Sequence, residues 1–294
     1  MTEAVLPLQS LCDLAVRAAR EAGQFIQGTD RSQLQRQFKD TGSSAASQIV
    51  TDVDCESEAL IRQRLQAASE QWDIAFVGEE SSQTASGLTP ERLLKPYHWC
   101  VDPLDGTLPF VEGKRGYAVS IALVDQSGAP LLGVVYDPVD SMLTHAITGE
   151  GAYLDGALFS RAKSESSSLM AFADASFASD KAYAETVGIL NACAREFGLA
   201  GVEVLYGSGA VKNALQVLDC PAACYLKRPK PEDGGGSIWD FAATACIAAE
   251  AGAWVSDIHG RPLELNRPDS TFMNHKGVLY ASNERIGQYL INSL

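Results

Sequence analysis

The sequence predicts a mixed α/β fold, because runs rich in β-branched and aromatic residues alternate with segments whose apolar residues recur at helical spacing. Its 294 residues, 46% of them hydrophobic, can bury a large core and lie near the upper limit for one domain or two closely joined lobes. No repeat interrupts the pattern, and the one low-complexity tract is Gly234-Gly235-Gly236.

Leu8, Leu11, Ala15, Ala18 and Ala22 line one face of a first helix, which Gly23 or Gly28 can end. The small polar stretch from Thr41 to Ser47 reads as a mobile loop between Lys39 and Val50. Asp52 or Asp54 then opens a second helix that runs to about Ala67. Ile74 to Val77 is an apolar strand, Ser81 to Leu88 a flexible connection, and His98 to Val101 another apolar strand. Tyr117 to Val124 and Leu131 to Tyr136 flank the turn residues Asp125 to Pro130 and read as a hairpin, which Met142 to Ile147 and Gly151 to Leu154 extend. After about Ser160 further strands are expected at Ser168 to Ala173, Val202 to Leu205 and Ala222 to Leu226. A small-residue helix starts near Ile238 and runs to Glu250-Ala251-Gly252.

The net charge of −14 argues against a uniformly basic face for a nucleic acid polymer, so an anionic substrate must be drawn in by bound cations and local groups. No segment approaches ~18 consecutive apolar residues, and no membrane span is expected. Met1-Thr2-Glu3-Ala4 lacks the charged and apolar regions of a signal peptide. Seven widely scattered cysteines point to reduced thiols in a cytoplasm, and Cys220 and Cys224 lack the second pair that a zinc site needs.

The chemistry concentrates in Asp102-Pro103-Leu104-Asp105-Gly106-Thr107. Pro103 biases Asp102 toward extended backbone, so Asp102 is expected to end its strand and project from it. Asp105 stands where a helix N-cap would stand, Gly106 allows close approach of a ligand, and Pro109 is tolerated in a first helical turn. Hard oxygen donors of this kind suit Mg²⁺. An Asp-Pro turn with a capping Asp is the plainer alternative, but two more acidic sites accompany it. Gly78-Glu79-Glu80 leaves an apolar strand, and Asp240 opens a helix within Trp239-Asp240-Phe241-Ala242-Ala243.

In these three segments the chain resembles the inositol monophosphatase family, a group of lithium-sensitive, Mg²⁺-dependent phosphatases. Gly78-Glu79-Glu80, Trp99 to Phe110, and Trp239 to Ala243 with Glu250-Ala251-Gly252 keep the family's order and spacing, and the match runs from about Leu8 to Asn283. The resemblance implies layered α-β-α-β-α packing, with an N-terminal lobe over residues 1–156, a C-terminal lobe over 157–294 and the active site between them. It also implies a homodimer. Glu79, Asp102, Asp105, Asp240 and the Leu104 carbonyl would hold two or three Mg²⁺ ions, with Asp102 bridging two of them. The N–H groups of Gly106 and Thr107 would hold the phosphate. The Thr107 hydroxyl and Asp54 would orient or deprotonate the attacking water, with Glu80 behind the ligands, and no phosphoenzyme is needed. For Asp54, plain helix capping stays open as the alternative.

Two substrate classes are in view. Asp233 precedes Asp240 by seven residues, where inositol monophosphatases carry a Glu that accepts from substrate hydroxyls. Gly207-Ser208-Gly209-Ala210-Val211-Lys212 instead resembles the Gly-Ser-x-x-x-Lys pattern of the 3′(2′),5′-bisphosphate nucleotidases, and Val255 to Leu263 with Met273-Asn274 lean the same way. Ser208 and Lys212 are then substrate residues, Lys212 neutralising a second phosphate, with Lys227, Arg228 and Lys230 nearby in sequence. The glycine run departs from both subfamilies. The expectation is a Mg²⁺-dependent phosphomonoester hydrolase acting on 3′-phosphoadenosine 5′-phosphate. An inositol-1-monophosphatase is the alternative, and a catalytically silent binding protein the non-enzymatic one.

Overall fold

The computed structural model describes residues 5–34, 36–38, 49–82, 89–160 and 167–294. The expected loop from Thr41 to Ser47, the start Met1 to Ala4 and residues 83–88 of the expected connection lie outside the described residues.

A short antiparallel pair, β1 (Arg36–Phe38) and β2 (Ile49–Thr51), precedes the main sheets. Seven strands then form one sheet in chain order: β3 (Ile74–Gly78), β4 (Tyr97–Asp105), β5 (Ala118–Asp125), β6 (Pro130–Asp137), β7 (Met142–Ile147), β8 (Gly151–Leu154) and β9 (Ala157–Leu158). The β3–β4 pair is parallel and the remaining pairs are antiparallel. The later strands are β10 (Leu169–Phe172), β11 (Val202–Leu205), β12 (Ala223–Lys227), β13 (Trp254–Ser256) and β14 (Val278–Ala281). They form a second sheet in the order β11-β10-β12-β14-β13.

Alternation along the strands assigns each side chain to a layer. On β5, Val119, Ile121 and Leu123 face α1 (Leu8–Gly28) and α2 (Asp52–Trp72), while Ala118, Ala122 and Val124 face the space between the sheets. Further along the chain come α3 (Glu91–Leu94), α4 (Thr107–Val111), α5 (Tyr183–Glu196), α6 (Ala210–Asp219), α7 (Ile238–Glu250) and α8 (Glu284–Ile291). The inter-sheet space is filled by α6 and α7, and α5 and α8 close the far face of the second sheet. The layering is therefore α-β-α-β-α. Small residues are required in the middle layer: a Cβ on Gly133 of β6 would collide with the Ala243 backbone of α7. Buried on nearly all sides, α7 reads as apolar rather than amphipathic.

Local expectations meet several corrections. Asp102 does not end its strand; β4 continues to Asp105, and the pairing with β5 shifts register between Asp102 and Asp105. That irregularity absorbs Pro103, which has no N–H to give the ladder. Asp105 does not cap the helix that follows, because Gly106 at φ 84° is the N-cap residue of α4. The second helix begins from a Thr51 N-cap and extends to Trp72, five residues past the expected end. Gly28 rather than Gly23 ends α1, since Gly23 is where the Tyr136 ring packs on the helix. The expected strands of the hairpin and its extension match β5 to β8 within a residue. The fully buried β14 and its neighbour β13 were not anticipated.

Candidate active site

The edge of the site is made where β4, α4, α6 and α7 meet. Asp102 leaves the ladder at the register shift, and its Oδ1 accepts the Leu104 N–H at 3.0 Å, which fixes the turn that carries Leu104 and Asp105. Asp105 reaches a different helix: its carboxylate accepts the N–H groups of Ala210 at 2.9 Å and Val211 at 3.0 Å, capping α6. Gly209 is obligatory there, as a Cβ would collide with that carboxylate. Asp240 is the third residue of α7 and completes a capping box, accepting the Ser237 N–H at 2.6 Å. Gly236, at φ 80°, leaves room beside it, since a Cβ would press on both Phe241 and the Asp240 carboxylate.

Asp102, Asp105 and Asp240 offer carboxylate oxygens that all lie within 4.8 Å of one another. Asp102 and Asp105 are buried and Asp240 partly so. Burial pushes all three carboxyls up. Mutual repulsion adds to it, from Glu79 for Asp102 and from Asp240 for Asp105. Asp240 reaches about 6, burial being countered by the Lys227 ammonium. Such a cluster is unfavourable without cations, and its hard oxygen donors fit Mg²⁺. Glu79 joins them electrostatically from the end of β3, with its N–H bonded to the Val101 carbonyl at 3.1 Å.

Beside the acids, the Thr107 hydroxyl donates to Asp54 Oδ1 at 2.9 Å and also lies 3.3 Å from the Leu104 carbonyl. Asp54 Oδ2 takes the Thr51 N–H at 2.8 Å and the Thr51 hydroxyl at 2.6 Å. Asp54 is thus a capping-box residue at the third position of α2 and a partner of Thr107 at once. Burial raises its carboxyl to about 6 against those hydrogen bonds.

The placements of the other candidates divide. Ser208 stands on the same wall, packed on Gly116 in the loop that leads to the α6 terminus below Asp105. Glu80 presents its N–H to Glu58 rather than to the cluster. Asp233 is exposed in the loop after Pro231. The placement of Lys212 does not support the expected contact with a second phosphate: its buried ammonium pairs with Asp137 at 2.5 Å, at the end of β6.

Two features escaped the sequence reading. Glu58, buried in α2, accepts the N–H groups of Glu80 at 2.8 Å and Ser81 at 3.1 Å, and Gly78 packs directly on its carboxylate. Its spacing of four from Asp54 puts both on one helical face, which was the available signal. Asp174 pairs with Lys227 at 2.7 Å beside Asp105 and Asp240, and no local pattern announces it.

This layered fold and its converging carboxylates define a metal-dependent phosphomonoester hydrolase. The chain belongs to the inositol monophosphatase family, whose family model matches residues 8–294. It is 34% identical over 265 residues to inositol monophosphatase 2 of Solanum lycopersicum, covering 88% of this chain and 91% of that protein. It is 31% identical over 263 residues to the Nus factor SuhB of Escherichia coli (strain K12), covering 86% of this chain and 87% of that one. The fold is shared with the extragenic suppressor protein suhB of Bartonella henselae, at a TM-score of 0.71 and 22% identity over 97% of this chain and 98% of that one.

Proposed function

We propose that the protein hydrolyses the phosphomonoester of a small metabolite, with Mg²⁺ held by Glu79, Asp102, the Leu104 carbonyl, Asp105 and Asp240. The observation that carries this reading is the convergence of three carboxylates beside the Thr107–Asp54 pair. Bound Mg²⁺ supplies charge neutralisation for the phosphoryl oxygens and acidifies water. Thr107, fixed by Asp54, orients the attacking water, and Asp54 accepts its proton. The N–H groups of Gly106 and Thr107, at the first turn of α4, hold the phosphate. The lobes 1–156 and 157–294 meet at this site, and a homodimer and inhibition by Li⁺ are expected from the family.

Inositol 1-phosphate is supported as a substrate by the name of the tomato relative, inositol monophosphatase 2, at 34% identity. A nucleoside bisphosphate keeps one supporting feature, the cation at Lys227, although Lys212 is paired with Asp137. A phosphate-release panel with Mg²⁺ tests the reading, using inositol 1-phosphate, 3′-phosphoadenosine 5′-phosphate and fructose 1,6-bisphosphate. Mg²⁺-dependent release from at least one of them is expected, and release from none would overturn the assignment.

A further inference from the structure

Lys227 is the last residue of β12, and it puts a cation against a cluster of acids. Its ammonium pairs with Asp174 Oδ2 at 2.7 Å and stands 5.4 Å from the centroid of the Phe241 ring, the residue after Asp240. Its side chain is 14% exposed, so the head is shielded but reachable. Burial works against its charge, yet Asp174, then Asp240 and Asp105, hold it firmly protonated.

The Asp174 carboxylate that anchors it is itself fixed. Its Oδ1 accepts from Tyr225 Oη at 3.0 Å and from Asn213 Nδ2 at 3.1 Å. The ammonium is therefore held in position, and Asp174 engages one of its three N–H donors. Asp105 and Asp240 also draw on this charge, but they are the carboxylates that divalent cations would claim. With those cations in place, Asp105 and Asp240 would no longer serve Lys227, and Asp174 would be left as its carboxylate partner. An anion delivered by the substrate can then accept from the N–H donors that Asp174 does not engage. In a chain of net charge −14, such a local cation is also what an anionic ligand needs.

We propose that Lys227 is a specificity-determining residue whose ammonium binds a second anionic group of the substrate, a phosphate or a carboxylate, on the part that is not hydrolysed. This rests on the phosphatase reading above and deepens it: the preferred substrates are small phosphomonoesters that carry another negative group, rather than neutral polyol monophosphates.

Two matched substrate pairs test the proposal with Mg²⁺ present. Adenosine 3′,5′-bisphosphate against adenosine 3′-phosphate isolates a second phosphate, and 3-phosphoglycerate against glycerol 3-phosphate isolates a carboxylate. The wild type is expected to favour the doubly anionic member of at least one pair, which names the source. Lys227→Met should lower kcat/KM for that member by about 10- to 100-fold, mainly through KM, and leave its partner within a few fold. Lys227→Arg should keep most of the preference. Because Lys227→Met strands Asp174, the double variant Lys227→Met with Asp174→Asn is measured as well; it removes both charges and should show the same lost preference. An equal loss for both members of each pair means that Lys227 serves the reacting phosphate or the fold, and overturns the proposal. An unchanged preference in both variants overturns it too. A wild type inactive on all four compounds and on the broader panel overturns the phosphatase reading, and this inference with it.

Discussion

The Thr107 hydroxyl donates to Asp54 at 2.9 Å across 53 residues of sequence, and the same carboxylate closes the capping box of α2. The two roles are compatible because they use different oxygens, Oδ1 for Thr107 and Oδ2 for Thr51. Helix capping therefore sets the position of the carboxylate that we propose accepts the water's proton.

From this pair we expect Asp54→Asn to lower kcat by about 10²- to 10⁴-fold with little change in KM, the usual range for loss of a positioned acid–base group. Thr107→Ala should behave similarly and Thr107→Ser should recover much of the rate. The carboxyl sits near 6, so the wild-type rate should fall as pH drops below that value and the base form is lost. A kcat for Asp54→Asn within a few fold of wild type would return Asp54 to a capping role alone.

Asp102 is buried and feels the charges of Glu79, Asp105 and Asp240. Activity should require added Mg²⁺ and vanish with a chelator. Asp102→Asn keeps the size of the side chain but removes a ligand charge, and should cost on the order of several kcal/mol in transition-state stabilisation. Circular dichroism would report whether the fold is retained, and near wild-type turnover in a folded variant would contradict the metal assignment.

Metal-free stability should depend on pH through the same acids. Asp240 is raised from 3.8 to about 6 in the folded protein, so its stabilising contribution is complete below pH 3.8 and is lost as pH rises through about 6. Asp240→Asn, which stays neutral, should gain on the wild type over that window by at most about 3 kcal/mol. His98, buried and lowered to about 4, titrates with the opposite sign but is common to both proteins and cancels. Thermal melts in chelator at pH 4 and pH 7 measure the difference, and Mg²⁺ at pH 7 should reverse it.

Much of this arrangement was legible because its signals are local. Helical spacing marked α1, β-rich runs around turn residues marked β5 to β8, and the three acidic segments carried both the candidate ligands and the family resemblance. What the sequence did not convey depends on distant partners. Whether Pro103 ends β4 is decided by how β5 takes up the register shift, and Asp105 caps a helix that begins 105 residues later. Lys212 and Lys227 look equally available in sequence. They differ because α6 buries Lys212 against Asp137 at the end of β6, while β12 delivers Lys227 to the acids.

Glu58 bonds the backbone of Glu80 and Ser81, immediately after Glu79. From there it can hold Glu79 in place for a metal ion, so Glu58→Gln, which keeps one acceptor, should weaken Mg²⁺ binding by roughly 10-fold, and Glu58→Ala by up to about 100-fold. Turnover at saturating Mg²⁺ should be much less affected. Calorimetric titration of the metal checks this directly. Unchanged Mg²⁺ affinity together with a lowered Tm would mean that Glu58 supports the fold and nothing else.

The buried Lys212–Asp137 pair makes the opposite prediction. Each charge has been taken out of water for the other, so Lys212→Met alone leaves Asp137 uncompensated and should cost about 3–5 kcal/mol of stability. Replacing both, with Lys212→Met and Asp137→Leu, should recover most of that loss, because a buried ion pair and an apolar pair of similar volume are often nearly equivalent. Part of the recovery is withheld, since Asp137 also accepts the Val139 N–H at 2.8 Å and the Asp140 N–H at 3.2 Å. The KM for a doubly anionic substrate should stay near wild type in both variants, in contrast to Lys227→Met. A large KM increase for Lys212→Met in a protein of unchanged Tm would show that the ammonium leaves Asp137 to meet the substrate.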